Sequence, residues 1–246
     1  MGFTAEKTGR TRGSGSLRAW EDLPDFMRIP EVKPYYEILE KKAWQLSLKR
    51  GFDCTLAVIL LVLFSIPMLL IMLWISIDSK GSPIYRQERV TTYGQRFRIH
   101  KFRTMAADAK EHGPLLTIKN DQRITRAGKI LRKLHADELP QLLDVINGSM
   151  SFVGTRAEIP AYVDQYKPEY YATLLMPAGI TSEATIRFKN ESEILDMAQN
   201  VDETYLEEIL PVKMEWNLES IRRFRFLREI LTIVRTILAV LGKEYQ

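Results

Sequence analysis

Along most of the chain, apolar and polar residues alternate on short periods. One stretch does not: Cys54 to Ile77 is 24 residues with no charge between Asp53 and Asp78. As one helix it is long enough for a hydrocarbon core of about 30 Å. Ser65-Ile66-Pro67 stands at its middle. Proline removes a backbone donor and kinks a helix, and a serine hydroxyl can satisfy a freed carbonyl. Each half, 11 or 12 residues, then reaches only about 16–18 Å. Lys41, Lys42, Lys49 and Arg50 precede the run, and Lys80, Arg86 and Arg89 follow it. With basic flanks on both sides, two readings stand: a re-entrant helix-break-helix dipping into one leaflet, or a kinked spanning helix.

The periodic segments predict the rest. Residues 1–16 are rich in Gly, Ser, Thr and Arg and predict a flexible terminus; 17–34, with three prolines, predict an irregular arm. Tyr35–Arg50 fits an amphipathic helix. Ile84–Arg89 and Phe97–Arg103 alternate as half-buried strands do, joined through Tyr93-Gly94. Period two puts Lys101 and Arg103 on one strand face, as a two-pronged cationic site or as solvated edge charges. Residues 105–122 predict a loop with one short helix. Ile124, Ala127, Ile130, Leu131 and Leu134 predict a helix over 123–134. Leu139, Leu142, Leu143 and Ile146 predict another, stopped by Asn147-Gly148. Residues 191–210 carry an acidic, solvated face. Trp216–Leu241 predicts one long helix mixing arginines with aromatic and aliphatic residues, suited to an anionic membrane surface or to the core.

Composition narrows the chemistry. Lys+Arg number 35 against 31 Asp+Glu, with pI near 9.0. That suits an anionic partner such as a phosphate substrate or lipid surface, and is too slight to indicate nucleic acid. Cys54 is the single cysteine, so no internal disulfide or cysteine zinc cluster forms. His100, His112 and His135 lack metal-ligand spacing and read as surface or loop residues. The polar N-terminus is not that of a cleaved signal peptide. Neither a GxGxxG nor a DxD motif appears, which argues against a Rossmann-like nucleotide sugar glycosyltransferase.

What remains is Arg132–Arg156, RKLHADELPQLLDVINGSMSFVGTR. Asp137 and Glu138 stand just before an apolar helical pattern, either as an N-cap pair or as a functional acid pair near a positive helix end. KRGFD, the proline-broken apolar run, GSPIYRQERVTTYGQRFRIHKFRTM and DQRITRAGKILRKLHADELPQLLDVINGSMSFVGTR follow in order. Over about Lys49–Tyr166 this resembles the bacterial sugar transferases known as monotopic phosphoglycosyl transferases.

The resemblance implies a Mg²⁺-dependent enzyme that moves a sugar-1-phosphate from a UDP-sugar to undecaprenyl phosphate, releasing UMP and starting a surface glycan pathway. Asp137 is implied as the nucleophile forming an aspartyl phosphosugar, and Glu138 as the ligand of Mg²⁺. Arg132, Arg156, Lys101 and Arg103 are implied at the substrate, and Pro67 at the membrane break, which favours the re-entrant form. Phosphoryl transfer to a carboxylate needs such positive charge in place. Where the family usually reads Val-Gly-Pro-Arg-Pro, this chain has Val153-Gly154-Thr155-Arg156-Ala157; where it often reads Pro-Gly-Ile-Thr-Gly-Trp-Ala-Gln, Ala178–Thr185 differs. Arg187 and Lys189 follow at strand-like spacing, as phosphate or nucleotide contacts or a solvated face.

The expected fold is α/β with low strand content, a mostly helical monotopic membrane protein. It divides into an N-terminal extension (1–48, partly flexible), a re-entrant membrane helix (49–80) and a cytoplasmic catalytic domain (81–246) with an interfacial C-terminal helix. Expected partners are the UDP-sugar, undecaprenyl phosphate and membrane lipids, at the cytoplasmic face of the inner membrane; homo-oligomerisation stays open. The alternative is a catalytically silent, membrane-anchored assembly protein.

Overall fold

The computed structural model describes residues 17–106, 121–188 and 191–240. In chain order come helices α1 (Lys33–Glu40), α2 (Ala43–Leu63) and α3 (Ser65–Asp78), strands β1 (Ile84–Val90) and β2 (Arg96–Phe102), then α4 (Arg126–Lys133) and α5 (Leu142–Asn147). β3 (Met150–Val153), α6 (Pro160–Val163), β4 (Ala178–Thr181), α7 (Glu183–Arg187), α8 (Glu191–Asp196), α9 (Val201–Thr204), α10 (Leu210–Arg222) and α11 (Phe226–Val240) complete it. The strands form two small sheets, β1–β2 antiparallel and β3–β4 parallel. The fold is mostly helical with few strands, as expected.

The apolar run breaks where proline and serine predict. α2 and α3 meet at Phe64 at an angle of 62°. The Ser65 hydroxyl donates to Val62 O at 2.8 Å, inside the bend. No single described helix is long and apolar enough to cross a membrane; only the bent pair has the length and composition. Val62, Leu63, Ile66, Leu69, Leu70, Leu73 and Ile77 are exposed along it, an apolar surface that a protein facing only water rarely carries.

The inner faces of the pair are built into the platform. Ala57 of α2 packs with Ile99, Leu142, Val145 and Met150. Met68 and Ile75 of α3 pack with Phe102 and Leu131. Lys49 and Arg50, read above as membrane-flanking charges, also serve packing. Arg50 donates to the carbonyls of Val145 and Ile146 at the C-terminal end of α5. Lys49 is buried, 2.9 Å from Glu229 of α11 and 3.5 Å from Asp53, and Asp53 accepts a 2.7 Å bond from Ser151 Oγ on β3. One buried ammonium thereby joins α2, α11 and β3.

Three long-range features depart from the expected outline. The boundary set at residue 48 falls inside α2, and residues 17–42 are part of the main core: Leu23, Met27, Val32 and Leu39 are buried against the C-terminal half. The amphipathic segment from Tyr35 breaks at Lys41-Lys42, where Lys42 Nζ donates to Phe224 O at 2.7 Å. The long helix expected over Trp216–Leu241 is two helices. Phe224 is buried at the corner between α10 and α11, and the chain turns to put it there. Residues 1–16, His112 and most of the 105–122 loop lie outside the described residues.

Removing Lys49 leaves two carboxylates buried without their counter-ion. Lys49→Met should cost about 3–5 kcal/mol, read as a lower denaturant midpoint in detergent. Adding Asp53→Asn and Glu229→Gln should return most of the loss.

Candidate active site

The acid pair is positioned by a reversal of the chain. α4 ends at Lys133 with Leu134 as its C-cap, His135 adopts a left-handed backbone (φ 52°), and Ala136–Gln141 forms a 3₁₀ helix containing Pro140 that runs into α5. Asp137 and Glu138 lie in its first turn. The N-cap position belongs to His135, which makes no side-chain cap. Asp137 takes no hydrogen bond or ion pair among the described residues, so a capping role does not explain it.

Glu138 is held from two sides. Its Oε1 accepts from Lys101 Nζ on β2 and from Arg156 Nη2, both at 2.8 Å. Burial pushes the Glu138 carboxyl up, but the charges and hydrogen bonds of Arg156 and Lys101 override this and hold it well below the usual carboxylate range. Arg156 is correspondingly raised, chiefly by Glu138. Burial lowers Lys101, partly offset by Glu138. Asp137 is shifted the other way: burial and the neighbouring Glu138 raise it, while Lys101, Arg132 and Arg156 oppose the rise.

Arg156 reaches this point from the loop after β3. Gly154 and Gly179 cross so closely that a Cβ on Gly179 would lie 2.2 Å from Gly154 N, and one on Gly154 would lie 2.5 Å from Pro177 O. Only glycine fits at either position. Arg132, at the end of α4, is anchored by a 2.8 Å bond from Nε to Thr104 Oγ1 and is close enough to Asp137 to affect its titration.

Arg103 behaves differently. β2 ends at Phe102, and Arg103 turns away from Lys101 into the end of α3. Its guanidinium donates to Lys80 O at 2.7 Å, to Ser79 O at 2.6 Å and to Ser79 Oγ at 3.0 Å. The expected two-pronged site is therefore not formed; Arg103 caps the second membrane-run helix. Arg187 ends the short helix α7 instead of a strand and stacks on Trp216 at 4.1 Å; Lys189 lies outside the described residues. His100 is a tether, its backbone N and ring Nδ1 meeting buried Asp144 at 2.8 and 2.7 Å. Asp144 and Thr104 went unmarked in the sequence, because only their distant partners reveal them.

The assembled charges are three cations (Lys101, Arg132, Arg156) around two acids, a net excess of one positive charge. Glu138 Oε2 and both Asp137 oxygens carry no hydrogen bond among the described residues. These free hard oxygens, beside a surplus of cations for phosphate, suit a Mg²⁺ ion that takes one or two carboxylates and completes its shell with substrate oxygens and water. No group of three or more His, Cys, Asp or Glu among the described residues could cage a metal alone. A cavity of about 370 Å³, lined by residues of α7, α10 and α11 and by Gly154 and Thr155 after β3, does not include the dyad.

Platform, bent apolar pair and cation-flanked acid dyad together define a class of protein that handles an anionic substrate beside an apolar surface. Comparison with known sequences gives the family. The profile of the bacterial sugar transferases matches residues 44–243, and the chain belongs to that family. The match runs well past the Lys49–Tyr166 segment that carried the resemblance.

The chain is 34% identical over 197 residues to a UDP-N-acetylgalactosamine-undecaprenyl-phosphate N-acetylgalactosaminephosphotransferase of Aeromonas hydrophila, covering 79% of this chain and 44% of that protein. It is 37% identical over 135 residues to a putative undecaprenyl-phosphate N-acetylgalactosaminyl 1-phosphate transferase of Bacillus subtilis (strain 168), covering 54% and 75%. It is 33% identical over 202 residues to a UDP-glucose:undecaprenyl-phosphate glucose-1-phosphate transferase of Caulobacter vibrioides, covering 80% and 70%. The chain thus spans less than half of the Aeromonas protein and roughly three quarters of the other two.

The Arg103 assignment is directly checkable. Arg103→Met strips donors from carbonyls at the α3 terminus and should lower stability by about 1–3 kcal/mol. Thermal unfolding in detergent reads this. An unchanged midpoint combined with weakened binding of the nucleotide sugar would return Arg103 to the substrate.

Proposed function

We propose that this protein is a sugar-1-phosphate transferase that moves the sugar phosphate of a UDP-sugar to undecaprenyl phosphate at the cytoplasmic face of the inner membrane. The carrying observation is the unequal state of two adjacent acids: Glu138 is locked between Lys101 and Arg156, while Asp137 takes no hydrogen bond among the described residues. A nucleophile has to be free to reach its substrate, and the group that organises charge has to be fixed.

In the proposed first step an Asp137 carboxylate oxygen attacks the sugar-bearing phosphorus. A P–O bond forms to Asp137, the P–O bond to UMP breaks, and UMP leaves with the electron pair. In the second step a phosphate oxygen of undecaprenyl phosphate attacks the aspartyl phosphosugar, forming the lipid diphosphosugar and regenerating the Asp137 carboxylate. Glu138 would hold a Mg²⁺ ion, which would neutralise the charge of the phosphate oxygens. Arg132 and Arg156 supply planar, permanently charged donors for the same oxygens, and Arg156 together with Lys101 keeps Glu138 ionised. The relatives named for undecaprenyl-phosphate transfer support the acceptor, and their UDP-sugar donors support the nucleotide.

The membrane arrangement follows the same reading. α2 and α3 enter one leaflet and return, so the acceptor phosphate stays at the height of the platform. Ile130 and Leu134 on α4 and Leu227, Leu231 and Ile237 on α11 are exposed apolar residues beside the bent pair, fit to rest in the headgroup region.

UMP release from a panel of UDP-sugars, with Mg²⁺ and undecaprenyl phosphate, tests the reaction. Wild type should turn over one donor, and Asp137→Asn should lose more than roughly 10³-fold in kcat. Silence from folded wild type across the panel would favour the assembly-protein alternative. Asp137 must be ionised to attack, and its folded pKa is raised. The acid limb of kcat/KM should therefore lie above the ordinary Asp value of about 3.9. Lys101 lowers that pKa, so Lys101→Met should move the limb to higher pH.

Topology has its own test, in a Cys54→Ser background carrying a single cysteine at Glu31 or Lys80. In intact cells both positions should resist an impermeant thiol reagent. Labelling at residue 31 from outside would make the pair a spanning helix.

A further inference from the structure

The segment that delivers Arg156, residues 154–158, contains no proline; Thr155 and Ala157 stand where the resembling family has its stiffening prolines. Non-covalent ties hold it. Upstream, Gly154 N donates to Thr181 O at 3.0 Å, and Gly179 N to Thr155 O at 2.9 Å. Downstream the ties come from β1. Arg89 Nη1 donates to Ala157 O at 3.0 Å, and Val90 N donates to Glu158 O at 2.9 Å. The Glu158 carboxylate lies 4.0 Å from Arg89 and accepts a hydrogen bond from the Tyr205 hydroxyl. Lys213 Nζ stands 3.4 Å from that hydroxyl and 3.0 Å from Glu191.

We infer that Arg89 is a positioning residue for Arg156, holding the 154–158 segment through Ala157 O and Glu158 so that the Arg156 guanidinium meets Glu138. The charges agree with that division. Arg89 and Arg156 repel, each a partly desolvated cation. Glu158 answers Arg89, which leaves Arg156 for Glu138. Burial and the Glu158 carboxylate both push the Tyr205 hydroxyl well above its usual range, so it remains a proton donor to Glu158. Arg89 had been grouped above with the charges flanking the membrane run. Its side chain points instead into a buried clamp, one residue from a cation of the active site.

The kinetic half of the test rests on the proposed transfer reaction; the exchange half does not. Full-length protein in nanodiscs is compared as wild type, Arg89→Met, Arg89→Lys and Tyr205→Phe. The readings are backbone deuterium exchange in peptides covering 154–159, and UMP release. Arg89→Met should raise exchange there by about tenfold and lower kcat roughly ten- to hundredfold, with donor KM changed by less than about threefold. Arg89→Lys keeps a donor and the charge and should recover most of both. Tyr205→Phe should move both readings the same way by less, and it carries the test if Arg89→Met does not fold.

Unchanged exchange and unchanged kcat in Arg89→Met overturn the inference. So does a raised KM at constant kcat, which would place Arg89 on the substrate. If wild type releases no UMP, the reaction reading falls, and the exchange data decide the clamp alone.

Discussion

A single carboxylate oxygen, Glu138 Oε1, accepts hydrogen bonds from two cations that arrive on different elements. Lys101 comes from the hairpin β1–β2, Arg156 from the loop that closes the parallel pair β3–β4, and Glu138 itself from the turn between α4 and α5. Each cation loses hydration to reach this point, and neither has another carboxylate bonded to it among the described residues. A charge-assisted hydrogen bond is shorter and roughly twice as strong as a neutral one, and a buried charge without its partner is costly. The three elements are therefore interdependent: displacing Glu138 strands both cations, and displacing either cation strands that cation and leaves Glu138 held from one side. That dependence explains why the platform spends so much of its structure on fixing loops, through the Gly154–Gly179 crossing, the Arg132–Thr104 bond and the His100–Asp144 tether.

The same economy joins the platform to the bent apolar pair. α2 carries Lys49 and Asp53 at its polar end, and these reach α11 and β3; α3 ends in a cap supplied by Arg103, directly after β2. Lys101, on β2, and Arg103, just past its end, are thus two residues apart. The orientation of the apolar pair and the placement of a site cation are set by the same few residues of backbone. A rigid link of this kind suits the proposed transfer, in which the site would meet a lipid phosphate at a fixed depth.

Much of this was legible in the sequence where the cause is local. Pro67 and Ser65 encode a break within one turn of themselves, and the break is there. Alternation marked both strands of the hairpin, since period two is a property of the strand alone. The acid pair stood out because its apolar followers fixed a helix after it. What failed to show depends on partners far away in sequence. Lys101 and Arg103 look equivalent by spacing, but the strand stops between them and the carbonyls of Ser79 and Lys80 claim the second. Lys49, Arg50 and Arg89 resemble a membrane flank until Glu229, Val145 and Ala157 are seen beside them. The breaks at Lys41-Lys42 and at Phe224 carry no glycine or proline, because a lysine that donates to a distant carbonyl and a buried ring make those corners.

The turn that holds the dyad accounts for its division of labour. In a 3₁₀ helix of three residues per turn, successive side chains leave the axis about 120° apart. Two adjacent acids on such a turn leave the axis in different directions. Glu138 bonds Lys101 and Arg156, and the Asp137 oxygens carry no hydrogen bond among the described residues. On an α-helical turn the separation would be about 100°, and the extra hydrogen bonding of a regular helix would draw an Asp near its start toward capping. The left-handed His135 and the ring of Pro140 favour the tighter turn, by reversing the chain before it and removing a backbone donor within it. Two residues with no chemistry of their own thereby decide that Glu138 is held and Asp137 is available.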